Sequence, residues 1–309
     1  HPWLKEGRPS LPIQQDETAL VVWALRRHFE VFRDVEFIRE VHRDLVSKPA
    51  EWIVSFRDHN GLPQPSWDLW EERYGVHLFT VATCIGALEA SRDFADDFGA
   101  SEESAKYGAA ADQMRAAMIK HMWCEETGHF ARSVTLQEDG TYTRDMTLDA
   151  SAWGLFAFNA LPSQDPRVAS HMEAVRTRLT VDTDVGGVAR YENDYYHQVE
   201  SKDTNRVPGN PWAICTLWMA QYDIARATTV KQLQQSVPVL EWTRERSLES
   251  GVVAEQFDPY SGAPISVSPL TWSHATIMTT IVQYLLKHAA LTGKPAGTVA
   301  ELTHTRPDG

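Results

Sequence analysis

The run Asp16–Phe32, DETALVVWALRRHFEVF, sets Leu20, Trp23, Ala24, Phe29 and Phe32 close to the i, i+3 and i+4 spacing that lines one face of an α-helix. That spacing predicts a first helix over residues 17–32. Further along the chain, the same reading predicts helices over 34–46, 49–58 with Pro49 in the first turn, 73–97, 102–123, 147–159, 165–179, 210–227, 229–247 and 271–291. Turn chemistry separates them: Asn60-Gly61, Pro63 to Pro65, Gly186-Gly187, Pro208-Gly209 and the stretch Pro259 to Pro269. Only Phe130–Thr143, FARSVTLQEDGTYT, alternates β-branched residues around Asp139-Gly140, which predicts a short hairpin and no other convincing strand pair. A parallel α/β fold needs strands between its helices, and the pattern offers none. The fold class is therefore all-α, with long, chemically rich loops between helices that could form one rim of a toroid.

Composition narrows the function. The chain has 309 residues, 43% of them hydrophobic, so it can bury a sizeable core. Its 29 Lys+Arg against 42 Asp+Glu give a formal net charge of -13, which would repel a phosphate backbone or an anionic membrane surface. No apolar run approaches the roughly 20 residues that span a bilayer. Cys84, Cys124 and Cys215 are widely spaced and lack metal-ligand or redox-pair spacing, so they read as ordinary thiols of a reducing cytoplasm. GxGxxG, HExxH, GxSxG and Walker motifs are missing from the sequence, and Gly293-Lys294 lacks the glycine loop a P-loop would need.

Two carboxylate-rich loops embedded in aromatics remain. The first, Ser66–His77 (SWDLWEERYGVH), crowds three acids, two tryptophans and an arginine just before a predicted helix; its structural reading makes Asp68 a helix N-cap. The second begins GVVAEQFDP and continues through SPLTWSHA, where Glu255 sits in an apolar lead-in that makes an unused charge costly. Acetal hydrolysis requires two carboxyl groups, one to protonate the leaving oxygen and one ionised as nucleophile or water activator. Two such loops meet that need once folding brings them together. Asp145 and Asp149 read as caps of a helix, Asp96-Asp97 and Glu102-Glu103 as solvated faces, and His274 as a packed histidine without triad partners.

DLWEERYGVHLFT (Asp68–Thr80), GNPW (Gly209–Trp212) and AEQFDPYSGAPISVSPLTWSHA (Ala254–Ala275) resemble, in order and spacing, the signature blocks of glycoside hydrolase family 15, the glucoamylase and glucodextranase family. The resemblance implies an (α/α)6 barrel and inverting, exo-acting hydrolysis of α-glucosidic bonds with release of β-glucose, trehalase and glucodextranase activities being the alternatives within it. A non-catalytic glycan-binding toroid is the alternative outside it. By the same resemblance, Glu71 is the general acid and Glu255 the general base, Glu72 binds sugar hydroxyls beside the acid, Arg190 clamps the substrate, and Trp70 and Trp272 wall the pocket. Tyr196 and Asp16, the latter in the Gln15-Asp16 block, match substrate-binding positions. The resemblance calls for no cofactor and no metal, and for an α-glucan or oligosaccharide as the partner.

The sequence also departs from the family pattern. The Arg-Asp pair that binds the terminal glucose has no counterpart, since Arg33-Asp34 and Arg43-Asp44 fall within amphipathic helices, and the predicted helices fall short of twelve. The expectation is a partial barrel over 17–292, incomplete on its N-terminal side, preceded by a loop segment over 1–16 and followed by a tail over 293–309, with the remaining N-terminal part of the same gene product as a partner.

Overall fold

A computed structural model of the chain describes residues 12–293, together with the backbone of Leu4–Lys5 and Arg8–Pro9. The expected tail beyond Gly293 and most of the expected 1–16 segment lie outside the described residues. The chain is mostly helical, 55% helix, and divides into two compact units, His1–Met146 with Gly154–Pro162 and Thr147–Trp153 with Ser163–Gly309.

In the first unit, β1 (Leu4–Lys5) pairs antiparallel with β2 (Arg8–Pro9). Helices α1 (Gln15–Phe32) and α2 (Val35–His42) follow, then a π-helical turn over Arg43–Ser47 that runs without a break into α3 (Lys48–Ser55). Arg33 ends α1 in the left-handed region, φ 52°, donating its N–H to the Phe29 carbonyl at 3.0 Å, and Asp34 caps α2 by accepting the Phe37 N–H at 3.0 Å. Strands β3 (Ser66–Trp67) and β4 (Tyr74–His77) lead into α4 (Leu78–Asp97), and α5 (Ser101–Met122) packs against α4. Along α4, Val81, Ala82, Cys84, Ile85, Ala87 and Leu88 are all fully buried, as expected of a helix apolar on nearly every side. Gly86 is the close-approach point of α4: a Cβ there would lie 2.9 Å from both the Cβ and the carbonyl oxygen of Phe158.

Strands β5 (Trp123–Cys124) and β6 (His129–Phe130) pair with each other, and β7 (Ser133–Leu136) and β8 (Tyr142–Asp145) form the predicted hairpin. Gly140, φ 82°, makes its turn, and Asp139 accepts the Thr141 N–H at 2.9 Å. The order β3-β4-β7-β8 makes one four-stranded sheet. Helix α6 (Gly154–Ala157) completes this unit.

The second unit holds a 3-10 turn over Ala150–Trp153 and α7 (Pro166–Leu179), whose N-cap Asp165 accepts the Arg167 N–H at 2.9 Å. Strand β9 (Val188–Ala189), strand β10 (Pro211–Trp212) and the buried α8 (Ala213–Arg226) come next, followed by α9 (Val230–Leu233), a 3-10 turn over Gln234–Ser236 and α10 (Val237–Glu245). Strands β11 (Gln256–Phe257) and β12 (Pro264–Ile265) precede α11 (Thr271–Thr292), which packs on α8. The four strands form a sheet in the order β12-β11-β10-β9.

Several expectations change. The helix predicted over 73–97 starts only at Leu78, because Tyr74–His77 pairs on both edges, Ser66 with Gly75 and Val76 with Val134. The segment 147–159 contains two short turns of helix instead of one long helix, and 229–247 is divided in three. The hairpin is not the sole strand pair: short strands at the helix entrances build two four-stranded sheets, too brief for a period-two pattern to register. Asp149 does cap the 3-10 turn, accepting the Ser151 N–H at 2.8 Å, but Asp145 lies in β8 and pairs with Arg132. Cys84 and Cys215 are buried free thiols within helices, whereas the half-buried Cys124 is on a strand.

Candidate active site

In the first unit the acid loop spans the turn between β3 and β4, so Asp68 caps no helix, contrary to the sequence reading. It organises a strand-to-strand turn instead. Its Oδ1 accepts the N–H groups of Glu72 at 2.8 Å and Arg73 at 3.1 Å, its N–H donates to the Arg73 carbonyl at 2.9 Å, and its carbonyl accepts the Glu71 N–H at 2.9 Å. The result places Glu71 in the left-handed region at φ 56° with its residue exposed. A non-glycine residue there costs about 1–2 kcal/mol, a strain concentrated at functional turns. Trp70 beside it is 8% exposed, and Glu72 pairs with Arg73 at 2.6 Å.

Asp16 reaches this loop from the first turn of α1. The residues ahead of it are stitched to the loop: Trp67 donates its N–H to the Ile13 carbonyl at 3.0 Å, Gln14 Nε2 donates to the Asp68 carbonyl at 2.8 Å, and Gln15 donates to the Gln64 carbonyl. Asp16 is 3% exposed, and burial together with the charges of Glu17 and Asp68 pushes its carboxyl up to about 7. Burial raises Asp68 as well, against the lowering effect of its backbone hydrogen bonds. Asp16 Oδ1 and Asp68 Oδ2 are both buried without a hydrogen-bond partner. Asp16 is thus buried close enough to Asp68 for the two charges to act on each other.

In the second unit, three separate sequence segments become neighbouring strands. Trp212 of β10 sits opposite Val188 of β9 on one side and Gln256 of β11 on the other. This register fixes Arg190 one residue beyond β9 and Glu255 one residue before β11. Arg190, 3% exposed, forks onto Asp194 through Nε at 2.9 Å and Nη2 at 2.8 Å, and Nη2 also meets the Tyr191 hydroxyl at 3.0 Å. Its guanidinium carbon lies 4.8 Å from the Trp212 ring centre and 5.3 Å from that of Tyr196. Of the two nearby acids Asp194 pairs with Arg190, and the neighbouring Glu192 pairs with Arg178.

Glu255 is half-buried and held from both ends. Its N–H donates to the Val267 carbonyl at 2.9 Å and its carbonyl accepts the Ala213 N–H at 3.1 Å. Its Oε2 accepts from Gln256 Nε2 at 3.2 Å, and Gln256 Oε1 in turn accepts from Asn210 Nδ2 at 3.0 Å. Asn210, 2% exposed, also donates to the His197 carbonyl at 2.8 Å and accepts the Val199 N–H at 3.3 Å. The two amides form a directed relay that ends on the carboxylate. Trp272, 37% exposed at the start of α11, stands edge-on to Trp218 at 5.8 Å, and Trp218 stacks on Trp153 at 4.8 Å. His274 is a packed residue whose Nε2 accepts the Val253 N–H at 3.1 Å.

Within the first unit the fold thus brings Trp70, Glu71 and Glu72 into one turn with Asp16 buried near its Asp68, and within the second it sets Arg190, Tyr196 and the Glu255 relay about the strands of one sheet. Sequence reasoning offered Glu192 or Asp194 as an ion-pair partner of Arg190, of which Asp194 forms the pair, and it missed Asn210 and Gln256 as working parts. Asn210 and Gln256 stood inside the quoted blocks; Asn210, a polar residue between Gly209 and Pro211, carried a signal that could have marked it, whereas Gln256 lies between Glu255 and Phe257 and carried none. Among the described residues no group of three His, Cys, Asp or Glu could hold a metal ion, and no helix is long and apolar enough to cross a membrane.

The sequence model of the family described as "Glycosyl hydrolases family 15" matches residues 12–282. An uncharacterized glycosyl hydrolase of Methanocaldococcus jannaschii is 27% identical over 295 residues, spanning 89% of this chain and 43% of that protein. A trehalase of Mycobacterium tuberculosis is 27% identical, over 72% of this chain and 30% of its own length. The crystal structure of a bacterial glucoamylase complexed with acarbose superposes with a TM-score of 0.70 at 21% identity, over 94% of this chain and 42% of that one. The likeness shows the fold: the mostly helical fold of family 15 glucoamylases, whose architecture is the (α/α)6 barrel. The chain spans less than half the length of these relatives.

Proposed function

The chain belongs to glycosyl hydrolases family 15, and on that footing we propose that the protein is an exo-acting, inverting α-glucoside hydrolase of glucoamylase type that releases β-glucose from non-reducing ends. The observation that carries this reading is the pair of carboxylate mounts: Glu71 exposed at the crest of a strained turn, and Glu255 half-buried at the end of an amide relay. Glu71 gives its proton to the leaving glycosidic oxygen. Glu255, ionised and steadied by the Gln256 amide, takes a proton from a water that attacks the anomeric carbon from the opposite face, which inverts the configuration. That role requires the two carboxyl groups to face one sugar about 6.5–9.5 Å apart.

Trp70 and Trp272 offer aromatic faces to the ring, Glu72 and Tyr196 serve its hydroxyls, and Arg190, already fixed by Asp194, orients the sugar. Asp16 belongs, by the family resemblance, to the same substrate-binding set. Proton transfer and pocket electrostatics suffice for the reaction, so it needs no metal or organic cofactor. Free Cys84, Cys124 and Cys215 suit a reducing cytoplasm. The likeness to a trehalase favours a second reading, hydrolysis of trehalose at the same two carboxylates.

The test is a panel of maltose, isomaltose, trehalose and dextran, with glucose release and the anomer of the product followed by NMR. Maltose cleaved fastest, with β-glucose appearing first, is the expected result; trehalose cleaved alone moves the protein to the second reading. Glu255→Gln should lower the rate by about 10²–10⁴-fold while sugar binding persists. A protein that binds these sugars but releases glucose from none of them would be a glycan-binding toroid, not an enzyme.

A further inference from the structure

A groove of about 550 Å³ opens in the first unit between the loop after α3 and the last turns of α5, lined among others by Arg57, His59, Asn60, Gln113, Lys120 and His121. It is electrostatically out of place. The protein as a whole carries a net charge of -13, and most of its arginines meet a carboxylate, as Arg26, Arg92, Arg115, Arg167 and Arg176 do. Arg57 does not. Half-buried, it donates only to neutral groups: the Val54 carbonyl at 2.9 Å, the Gln113 side-chain oxygen at 3.3 Å and the Ala110 carbonyl at 3.5 Å.

Among the described residues Lys120 and Arg144 also lack a carboxylate within ion-pair distance; Arg144 spends its Nε–H on the His121 carbonyl at 2.7 Å. One acid lines the groove, Asp58, and its oxygens are taken. Oδ1 accepts the N–H groups of Asn60 at 2.8 Å and Leu62 at 3.1 Å, and Oδ2 accepts the Tyr142 hydroxyl. The surplus of positive charge is felt by the histidine: burial and the nearby Lys120 and Arg144 hold His121 below the usual imidazole range, although Asp58 works in the other direction.

We propose that this groove is a binding site for a phosphoryl group, either free or carried on a sugar. A dianion would neutralise Arg57 and Lys120 together, and a guanidinium fork beside an ammonium matches the oxygens of a phosphate. The rest of the lining suits a hydroxylated carrier. Asn60 and Gln113 bring side-chain amides, and the His121 ring lies tilted on Tyr142 at 4.7 Å. The site touches the acid loop's own sheet, since Tyr142 and Arg144 belong to β8 and the loop lies between β3 and β4.

Isothermal titration of the whole chain with inorganic phosphate, at constant ionic strength kept with chloride, tests the site without reference to hydrolysis, so its failure is separable from failure of the enzymatic reading. One saturable site is expected. Arg57→Gln should abolish it, and Lys120→Gln, at an exposed position that does not threaten folding, should weaken it at least about tenfold, the scale of one charge-assisted hydrogen bond. Lys231→Gln on α9 should leave it unchanged. A hexose 6-phosphate bound more tightly than phosphate identifies a sugar-borne group; equal affinities identify the free ion. No saturation with either probe, binding undiminished in Lys120→Gln, or equal binding of the neutral hexose would each overturn the proposal.

Discussion

The two candidate carboxylates are mounted in opposite ways. In the first unit Glu71 is placed by main-chain groups closing on one residue: its own N–H and the Arg73 carbonyl meet the Asp68 backbone, and the N–H groups of Glu72 and Arg73 meet the Asp68 carboxylate, so the turn would keep its shape with many different side chains at its crest. In the second unit Glu255 is placed by main chain at its Cα but by side-chain amides at its carboxylate, through Gln256 and Asn210, beside a buried ion pair that fixes Arg190. A main-chain mount tolerates neighbours and stores strain. A side-chain mount stores none but depends on every member of its relay.

The largest expected effect lies in the second unit. Asp194→Ala takes from the Arg190 guanidinium, 3% exposed, the carboxylate onto which its Nε and Nη2 fork. Removing one partner of a buried pair costs about 3–5 kcal/mol, which for a chain of this size lowers the melting temperature by roughly 10 °C. Differential scanning calorimetry of the single variant measures it; a melting temperature within one or two degrees of the parent would mean that the pair is not the anchor of this unit.

That pair also shows what could be read from the sequence. Helix periodicity found most of the long helices because apolar spacing is a local property, and α1, α4, α5, α7, α8 and α11 all lie where it placed them to within a few residues, α4 excepted at its start. The two small sheets were illegible because strands of two to four residues carry no period, and they are made by pairings between distant segments, such as Trp212 with Gln256. As candidates for the site, Glu71 and Glu255 stood out through aromatic-flanked acid clusters and the family resemblance. Which of two nearby acids pairs with Arg190 was not legible: Glu192 and Asp194 are both within reach along the chain, and only the backbone path after β9 decides for Asp194.

The first unit has its own large term, of opposite character because it depends on pH. Asp16 is raised from its ordinary value to about 7 by burial, with Glu17 and Asp68 adding negative charge and the Cys84 thiol of α4 nearby. Between about pH 4 and 7 the unfolded chain has released this proton and the folded chain still holds it. The folded state then binds more protons, so stability falls as pH rises through that window, by an amount on the order of 4 kcal/mol if the whole shift is expressed. Below pH 4 both states are protonated and the penalty is absent. Urea denaturation at pH 4.5, 5.5 and 7 should show the decline in the parent and its loss in Asp16→Asn, which keeps the shape without the titration. An identical pH slope in both proteins would show that Asp16 is not the group responsible.

The smallest effect separates the two mounts most directly. Gln256→Met removes both the donor to Glu255 and the acceptor for Asn210, while preserving length and leaving the backbone hydrogen bonds of Glu255 in place. The loss is that of one or two ordinary hydrogen bonds, about 1–2 kcal/mol, and on the proposed mechanism it falls on the carboxylate that activates water, so kcat should drop roughly tenfold with KM little changed. The matching change in the first unit, Gln14→Met, also deletes one amide donor, the bond to the Asp68 carbonyl. There the turn is still closed by the Asp68 carboxylate and main-chain groups, so kcat should stay within about twofold of the parent, because the lost bond is not the one that aims Glu71. Equal losses in the two variants would mean that both carboxylates rely on side-chain relays, and the main-chain strain at Glu71 would then need another explanation.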